Sequence, residues 1–104
     1  MDAIFKALAD PARRRILDSL FEQDGQALSE LFVRESMSRQ AVSKHLDILE
    51  NARLVTSVKQ GRKRKYFLNP VPIQEIADRW ISKFDRKKLR VLNDLKQKLE
   101  QTDD

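Results

Sequence analysis

Two stretches hold the side chains best suited to chemistry. In Met37-Ser38-Arg39-Gln40-Ala41-Val42-Ser43-Lys44-His45-Leu46, polar and basic groups alternate with apolar ones at helical spacing, and Lys59-Gln60-Gly61-Arg62-Lys63-Arg64-Lys65 gathers cations around a glycine with no acid among them. With Val42 as origin and about 100° per residue, Leu46 and Leu49 fall within about 40° and define a buried side, while Gln40, Ser43, Lys44 and Asp47 lie on the opposite arc. Gln40 can bond adenine through two contacts, Ser43 a base or a phosphate, and Lys44 and Arg39 guanine or a phosphate. The helix N-terminus, capped by Ser38, itself favours a phosphate. Together these groups can grip a duplex polyanion and read its base edges.

Each residue also has a plainer use. The polar arc can be an ordinary solvated face, and the basic hairpin can simply confer solubility. The nearby helix and hairpin together tip the reading to double-stranded DNA. In the hairpin, neighbouring side chains point to opposite faces, so Lys59, Arg62, Lys63, Arg64 and Lys65 cannot all reach one ligand; Arg62 with Arg64 or Lys63 is the favoured set. Asp47 would repel phosphate and is expected to pair with a cation or face away. His45, about 60° off the buried direction, suits a packed helix edge better than a metal site, which a single His serves poorly, and is kept as a DNA-proximal residue. Arg13, Arg14 and Arg15 oppose the macrodipole near a helix start and call for an anionic group to offset them.

The elements that position these residues follow from capping and periodicity. Ile4, Phe5 and Leu8 lie at helical spacing, and Asp10-Pro11 stops that helix and starts another, with Ile16, Leu17, Leu20 and Phe21 on one stripe. Asp24-Gly25 is expected to close it. Leu28 to Val33, with Ser29 as N-cap, precedes a polar turn and the helix from Ser38 to about Asn51, a helix-turn-helix. Val55 to Val58 and Arg64 to Leu68 pair as a two-stranded hairpin, or wing.

Helical periodicity resumes at Ile73 with Ile76, Ala77, Trp80, Ile81 and Phe84, then Leu89, Leu92, Leu95 and Leu99, interrupted by Asp85-Arg86-Lys87-Lys88. Such a helix, about 40 Å long at 1.5 Å per residue, exceeds what its own small domain can cover. A homodimer follows, with Ile4, Phe5, Leu8, Trp80, Phe84, Leu92 and Leu95 at its interface. Trp80 and Phe84 suit an interface first; a small apolar effector wedged against the winged core is a second use, and no residue identifies it.

The fold class is thus mainly α with a small β-hairpin, a winged helix-turn-helix dimerising through its N- and C-terminal helices. One domain is expected over 1–104: a dimerisation helix at 1–9, a DNA-binding core with wing at 10–69, and a C-terminal dimerisation helix at 70–100. The 104 residues, with 2 Gly and 3 Pro, argue for order except at 101–104. The net charge of +5 is compatible with a polyanion. Up to Asn69 there are 13 basic and 9 acidic residues, against 8 and 7 beyond, so the surplus sits with the winged core. The lack of Cys excludes disulfides, thiolate metal sites and Cys nucleophiles. No signal-peptide core or transmembrane run is evident, so a cytoplasmic protein without membrane attachment is expected. No nucleophile-base pair or phosphate-cradling glycine loop appears, so an enzyme is not expected, and no cofactor or metal is implied.

Phe5-Lys6-Ala7-Leu8-Ala9-Asp10-Pro11-Ala12-Arg13-Arg14-Arg15-Ile16-Leu17 resembles the N-terminal signature of the ArsR-type winged helix-turn-helix transcriptional repressors. Ser43-Lys44-His45-Leu46 with Leu49 resembles their recognition helix, and Gly61-Arg62 through Tyr66 and Leu68 their wing. The resemblance spans nearly the whole chain. It implies a dimeric repressor binding an imperfect inverted repeat, frequently in its own promoter. Because metal-sensing members use Cys, or His and acids on the C-terminal helix, it implies the non-metal-sensing subgroup. Arg53 stands where relatives usually carry Gly, so a positive φ is expected there. The competing function is a protein-interaction and dimerisation module with a vestigial helix-turn-helix.

Overall fold

The boundary between the first two helices is made by Asp10 and Pro11. Asp10 lies in extended backbone, and its carboxylate accepts from the N–H groups of Ala12 at 2.8 Å and Arg13 at 3.3 Å. Pro11 occupies the first helical position, where a missing N–H loses no helical bond. The computed structural model describes residues 1–101, and here gives α1 (Asp2–Leu8) followed by α2 (Pro11–Glu22). α2 buries Ala12, Ile16, Leu17 and Leu20. Phe21 departs from the expected stripe and is 81% exposed. It lies about 40° beyond Leu17, past the edge of the buried arc that runs from Ala12 through Ile16 and Leu20.

Asp24-Gly25 does not cap α2, which ends at Glu22 with Gln23 as C-cap; it opens a strand. Gly25 takes φ +74° and donates its N–H to the Tyr66 carbonyl at 2.9 Å, while Asp24 Oδ1 accepts from the Leu68 N–H at 2.8 Å. These bonds dock β1 (Gln26–Ala27) antiparallel against β3 (Lys63–Leu68), which also pairs with β2 (Val55–Gln60). The sheet is therefore three-stranded, in the order β1-β3-β2, where the sequence suggested a two-stranded hairpin. A two-residue strand is too short to show alternation. Gln26 is buried but satisfied, its amide donating to the carbonyls of Ser19 at 2.9 Å and Gln23 at 2.7 Å.

α3 (Leu28–Val33) begins directly after the strand, with Ala27 as its N-cap residue, so Ser29 falls inside the first turn and is not the cap. The extended backbone that β1 requires at Ala27 fixes this start. Glu30 then reaches back to accept the Ala27 N–H at 3.1 Å. Five residues later α4 (Arg39–Asn51) starts at Ser38, whose Oγ accepts the Ala41 N–H at 3.1 Å. Val42, Leu46 and Leu49 are fully buried against Ile16, Leu20 and Leu31 in one core.

The end of α4 is a Schellman turn. Leu54 N–H donates to the Leu49 carbonyl at 3.0 Å and Arg53 N–H to that of Glu50 at 2.9 Å, and Arg53 adopts φ +62°, as expected from its replacement of a usual Gly. Leu49 and Leu54 supply the buried apolar contact that accompanies such turns. The wing strands run further toward the tip than periodicity indicated, leaving Gly61-Arg62 as a two-residue loop with Gly61 at φ +64°. A glycine in that first loop position matches the twist of the flanking strands.

The chain divides into two compact units, Met1–Pro72 and Ile73–Asp104. α5 (Val71–Ile76) leads into a π-helical turn, Ala77–Ile81, and then α6 (Ser82–Gln101). Residues 85–88 lie within α6, so the polar interruption is no break; the irregularity falls at Ala77–Ile81. Gln101 is helical rather than disordered, and the expectation of disorder for residues 102–104 lies outside the described residues. Among the described residues no helix is long and apolar enough to cross a membrane.

Candidate nucleic-acid interface

α4 presents two adjoining surfaces beside the wing. Ser38, Gln40, Ala41, Ser43, Lys44 and Asp47 line one open depression. Arg39 instead joins Arg62, Lys63 and Arg64 of the wing around a second trough, floored by Ala27, Leu28, Ser29 and Tyr66. The cations of the recognition helix and the hairpin, separated in sequence, thus border a single open groove. Such an arrangement has the chemistry to neutralise a phosphate backbone beside a helix face whose polar groups can bond base edges.

Several contacts hold these groups in place. The Arg39 guanidinium lies over the Phe32 ring at 5.4 Å from its centroid, a cation–π contact from α3 to the first turn of α4. Arg64 donates to Ser57 Oγ at 2.9 Å along the face it shares with Lys59, its cross-strand partner. Lys65 points to the other face and is engaged with Glu30 at 3.4 Å, which removes it from the groove. The Glu30 carboxyl is held below the usual carboxylate range by the Ala27 N–H, against an opposing desolvation, with Lys65 and Lys63 adding to the lowering. Burial raises the Tyr66 phenol, with Glu50 and Asp47 adding to the rise and Arg64 opposing it.

The remaining expected residues are distributed differently. His45 is turned from the depression toward α2: arginine has only donors, so its Nδ1 accepts from the Arg13 guanidinium at 3.2 Å. Arg13 also donates to the carbonyls of Ala7 at 2.8 Å and Lys6 at 3.0 Å, and Arg14 to that of Leu8 at 2.7 Å. The groups that offset these two arginines are therefore carbonyls at the negative end of α1, joined by Asp10 at 3.8 Å from Arg13. Arg15 pairs with Glu35 at 3.1 Å. Asp47 does not take the cation partner that was one expectation for it: among the described residues its carboxylate forms no ion pair or hydrogen bond, and it lines the same depression as Gln40, Ser43 and Lys44. Phe32, which positions Arg39, was not singled out from sequence; its place four residues into a short amphipathic helix reads only as core.

Of the expected interface residues, Ile4 and Leu8 pack partly against the core, while Phe5 is 44% exposed. Within the second unit Trp80, Phe84, Leu92 and Leu95 are all exposed, as are Leu89 and Leu99. Among the described residues no group of three or more His, Cys, Asp or Glu side chains is arranged to hold a metal.

A helix-turn-helix joined to a basic wing defines a winged-helix DNA-binding module. A family model described as a helix-turn-helix domain matches residues 8–58. The chain is 45% identical to the HTH-type transcriptional regulator YuzN of Bacillus subtilis, over 77% of this chain and 94% of that protein, and 33% identical to the transcriptional repressor SdpR of the same organism, over 84% and 94%. The structure of an ArsR-like transcriptional regulator from Rhodococcus sp. RHA1 superposes with a TM-score of 0.70 at 36% identity, covering 92% of this chain and 89% of that one. The chain belongs to the ArsR-type family of winged helix-turn-helix regulators. It is a DNA-binding transcriptional regulator, and the alternative of an interaction module with a vestigial helix-turn-helix is not favoured.

Proposed function

We propose that the protein is a dimeric repressor that binds an inverted repeat, its own promoter included. Two copies of α4 enter successive major grooves about 34 Å apart. Ser38, Gln40, Ser43 and Lys44 meet base edges and phosphates from the helix, and Arg39, Lys59, Arg62, Lys63 and Arg64 neutralise the backbone at the wing. His45 serves this surface indirectly, through its bond to Arg13. The observation that carries the reading is the groove bordered by Arg39 of the helix and Arg62, Lys63 and Arg64 of the wing. SdpR, a named repressor, supports the direction of regulation.

The dimer reading rests on α6. Its 20 residues expose Leu89, Leu92, Leu95 and Leu99 along one side, and an apolar stripe of that length is stable in water when it meets another. Trp80 and Phe84 extend the stripe, and Phe5 with Ile4 and Leu8 supplies the contribution of α1. A small-molecule effector has no identified site in this reading.

The test is binding of the purified protein to DNA upstream of its own gene, followed by fluorescence anisotropy across a salt series. Affinity is expected to fall about a thousandfold or more between 50 and 200 mM salt if about six phosphates are neutralised. Sedimentation should show a dimer that Leu92→Asp dissociates. Binding indifferent to salt, or a monomer at every concentration, would defeat the proposal.

A further inference from the structure

We infer that Asp47 is a specificity-determining residue that selects cytosine in the major groove, a reading that rests on the DNA-binding role proposed above. Its placement calls for an explanation. Asp47 is exposed, lines the depression with Gln40, Ser43 and Lys44, and sits one turn beyond Ser43 on the same side of α4. A carboxylate on a surface that meets phosphates lowers affinity for every sequence. Intramolecular pairing would offset that, yet Lys44, three residues earlier on the helix, forms no salt bridge with it, and neither does any other described cation. The free oxygens remain available as acceptors.

Base chemistry then selects the partner. An ionised carboxylate only accepts hydrogen bonds. In the major groove guanine offers N7 and O6, both acceptors, and thymine offers O4, also an acceptor, so both are repelled. Adenine presents its N6 donor beside the N7 acceptor, which opposes a carboxylate drawn to N6. Cytosine presents its N4 donor without a neighbouring acceptor on the same base. Asp47 thus rejects three bases and accepts one. Gln40, suited to adenine, precedes it by seven residues, which is about 10 Å along the helix axis at 1.5 Å per residue. With the helix lying along the groove, that spans about three base pairs at 3.4 Å each. The acid works together with the cations: Arg39 and the wing hold any duplex, and Asp47 weakens the hold unless a cytosine meets it.

The experiment is selection from a randomised duplex pool with the wild-type protein, Asp47→Ala, Asp47→Asn and Gln40→Ala, followed by anisotropy on the selected duplex and its single-base variants. Wild type is expected to enrich a cytosine in each half-site, about three base pairs from the position that Gln40→Ala relaxes. Asp47→Ala should lose that preference, by about 5- to 150-fold in discrimination at that position, while binding random duplex more tightly. Asp47→Asn should move the preference toward adenine, which an amide bonds through N6 and N7. A merely electrostatic or structural role does not produce that switch. If the wild-type motif survives unchanged in Asp47→Ala and all duplexes simply bind tighter, the assignment of Asp47 is overturned alone. If wild type enriches no sequence, the DNA-recognition reading falls and the assignment with it.

Discussion

Replacing Arg53 by glycine should stabilise the protein, and the size of the effect follows from the Schellman turn that ends α4. Arg53 sits at φ +62°, where a side chain crowds the following carbonyl at a cost of about 1–2 kcal/mol. Its own N–H, that of Leu54 and the Asn69 amide bond to its carbonyl all involve backbone groups at this turn, so Arg53→Gly can keep every one. Two terms oppose the gain. Glycine loses about 0.5–1 kcal/mol more conformational entropy on folding, and removing a cation from a helix C-terminus forfeits about 0.3 kcal/mol or more. The net gain is about 0.5 kcal/mol. Arg53→Ala isolates the backbone term, since it also removes the charge but keeps a Cβ; it should be less stable than Arg53→Gly by about 0.8 kcal/mol, a gap of about 3–6 °C in melting temperature for a unit of this size. Thermal unfolding followed by circular dichroism reads both variants. Equal melting temperatures for the glycine and alanine variants, or a lower one for glycine, would refute the claim that backbone strain is stored at this residue.

Two further outcomes follow from the site. Phe32→Leu should leave the fold intact but loosen Arg39, weakening binding to all duplexes alike by a factor of about 2–5, as expected for losing a contact of about 0.5–1 kcal/mol; a change in sequence preference instead would show Arg39 reading a base. Asp10 is drawn upward by desolvation and more strongly downward by the N–H groups of Arg13 and Ala12 and the charge of Arg13, so its carboxyl titrates below the ordinary range. Its contribution to stability is therefore present above the unfolded carboxyl value and lost as pH falls through the folded one. Melting curves of wild type and Asp10→Asn should converge as pH falls below the ordinary carboxylate range; curves that stay parallel would remove Asp10 from the linkage.

What was legible in the sequence is what local chemistry dictates. Ser38 bonds the third residue beyond it whatever the rest of the fold does, and Val42, Leu46 and Leu49 share a face by spacing alone, so the recognition helix and its polar arc emerge directly. The positive φ of Arg53 came from the family resemblance, which puts Gly at that place, and not from the chain's own chemistry. The features that escaped depend on partners distant in the chain. Gln26-Ala27 becomes a strand only because β3 offers it an edge, and this displaces the start of α3 ahead of Ser29. Lys65 looked like one more wing cation until Glu30, 35 residues earlier, claimed it. For Asp47 the sequence leaves open a cation partner or an orientation away from phosphate, and spacing alone does not indicate that no described cation pairs with its carboxylate. The polar run at 85–88 left open whether the helix is kinked there; it lies within α6, because charged residues interrupt a stripe without interrupting backbone hydrogen bonds, whereas the actual irregularity at Ala77–Ile81 carries no Gly or Pro to mark it.

The guanidinium of Arg13 ties three strands of information into one knot. It fastens the tail of α1 through two carbonyls and holds the imidazole of α4 with its remaining arm, so the opening helix and the reading helix share a single rigid crosspiece. Removing that one side chain would release both helices from α2 together.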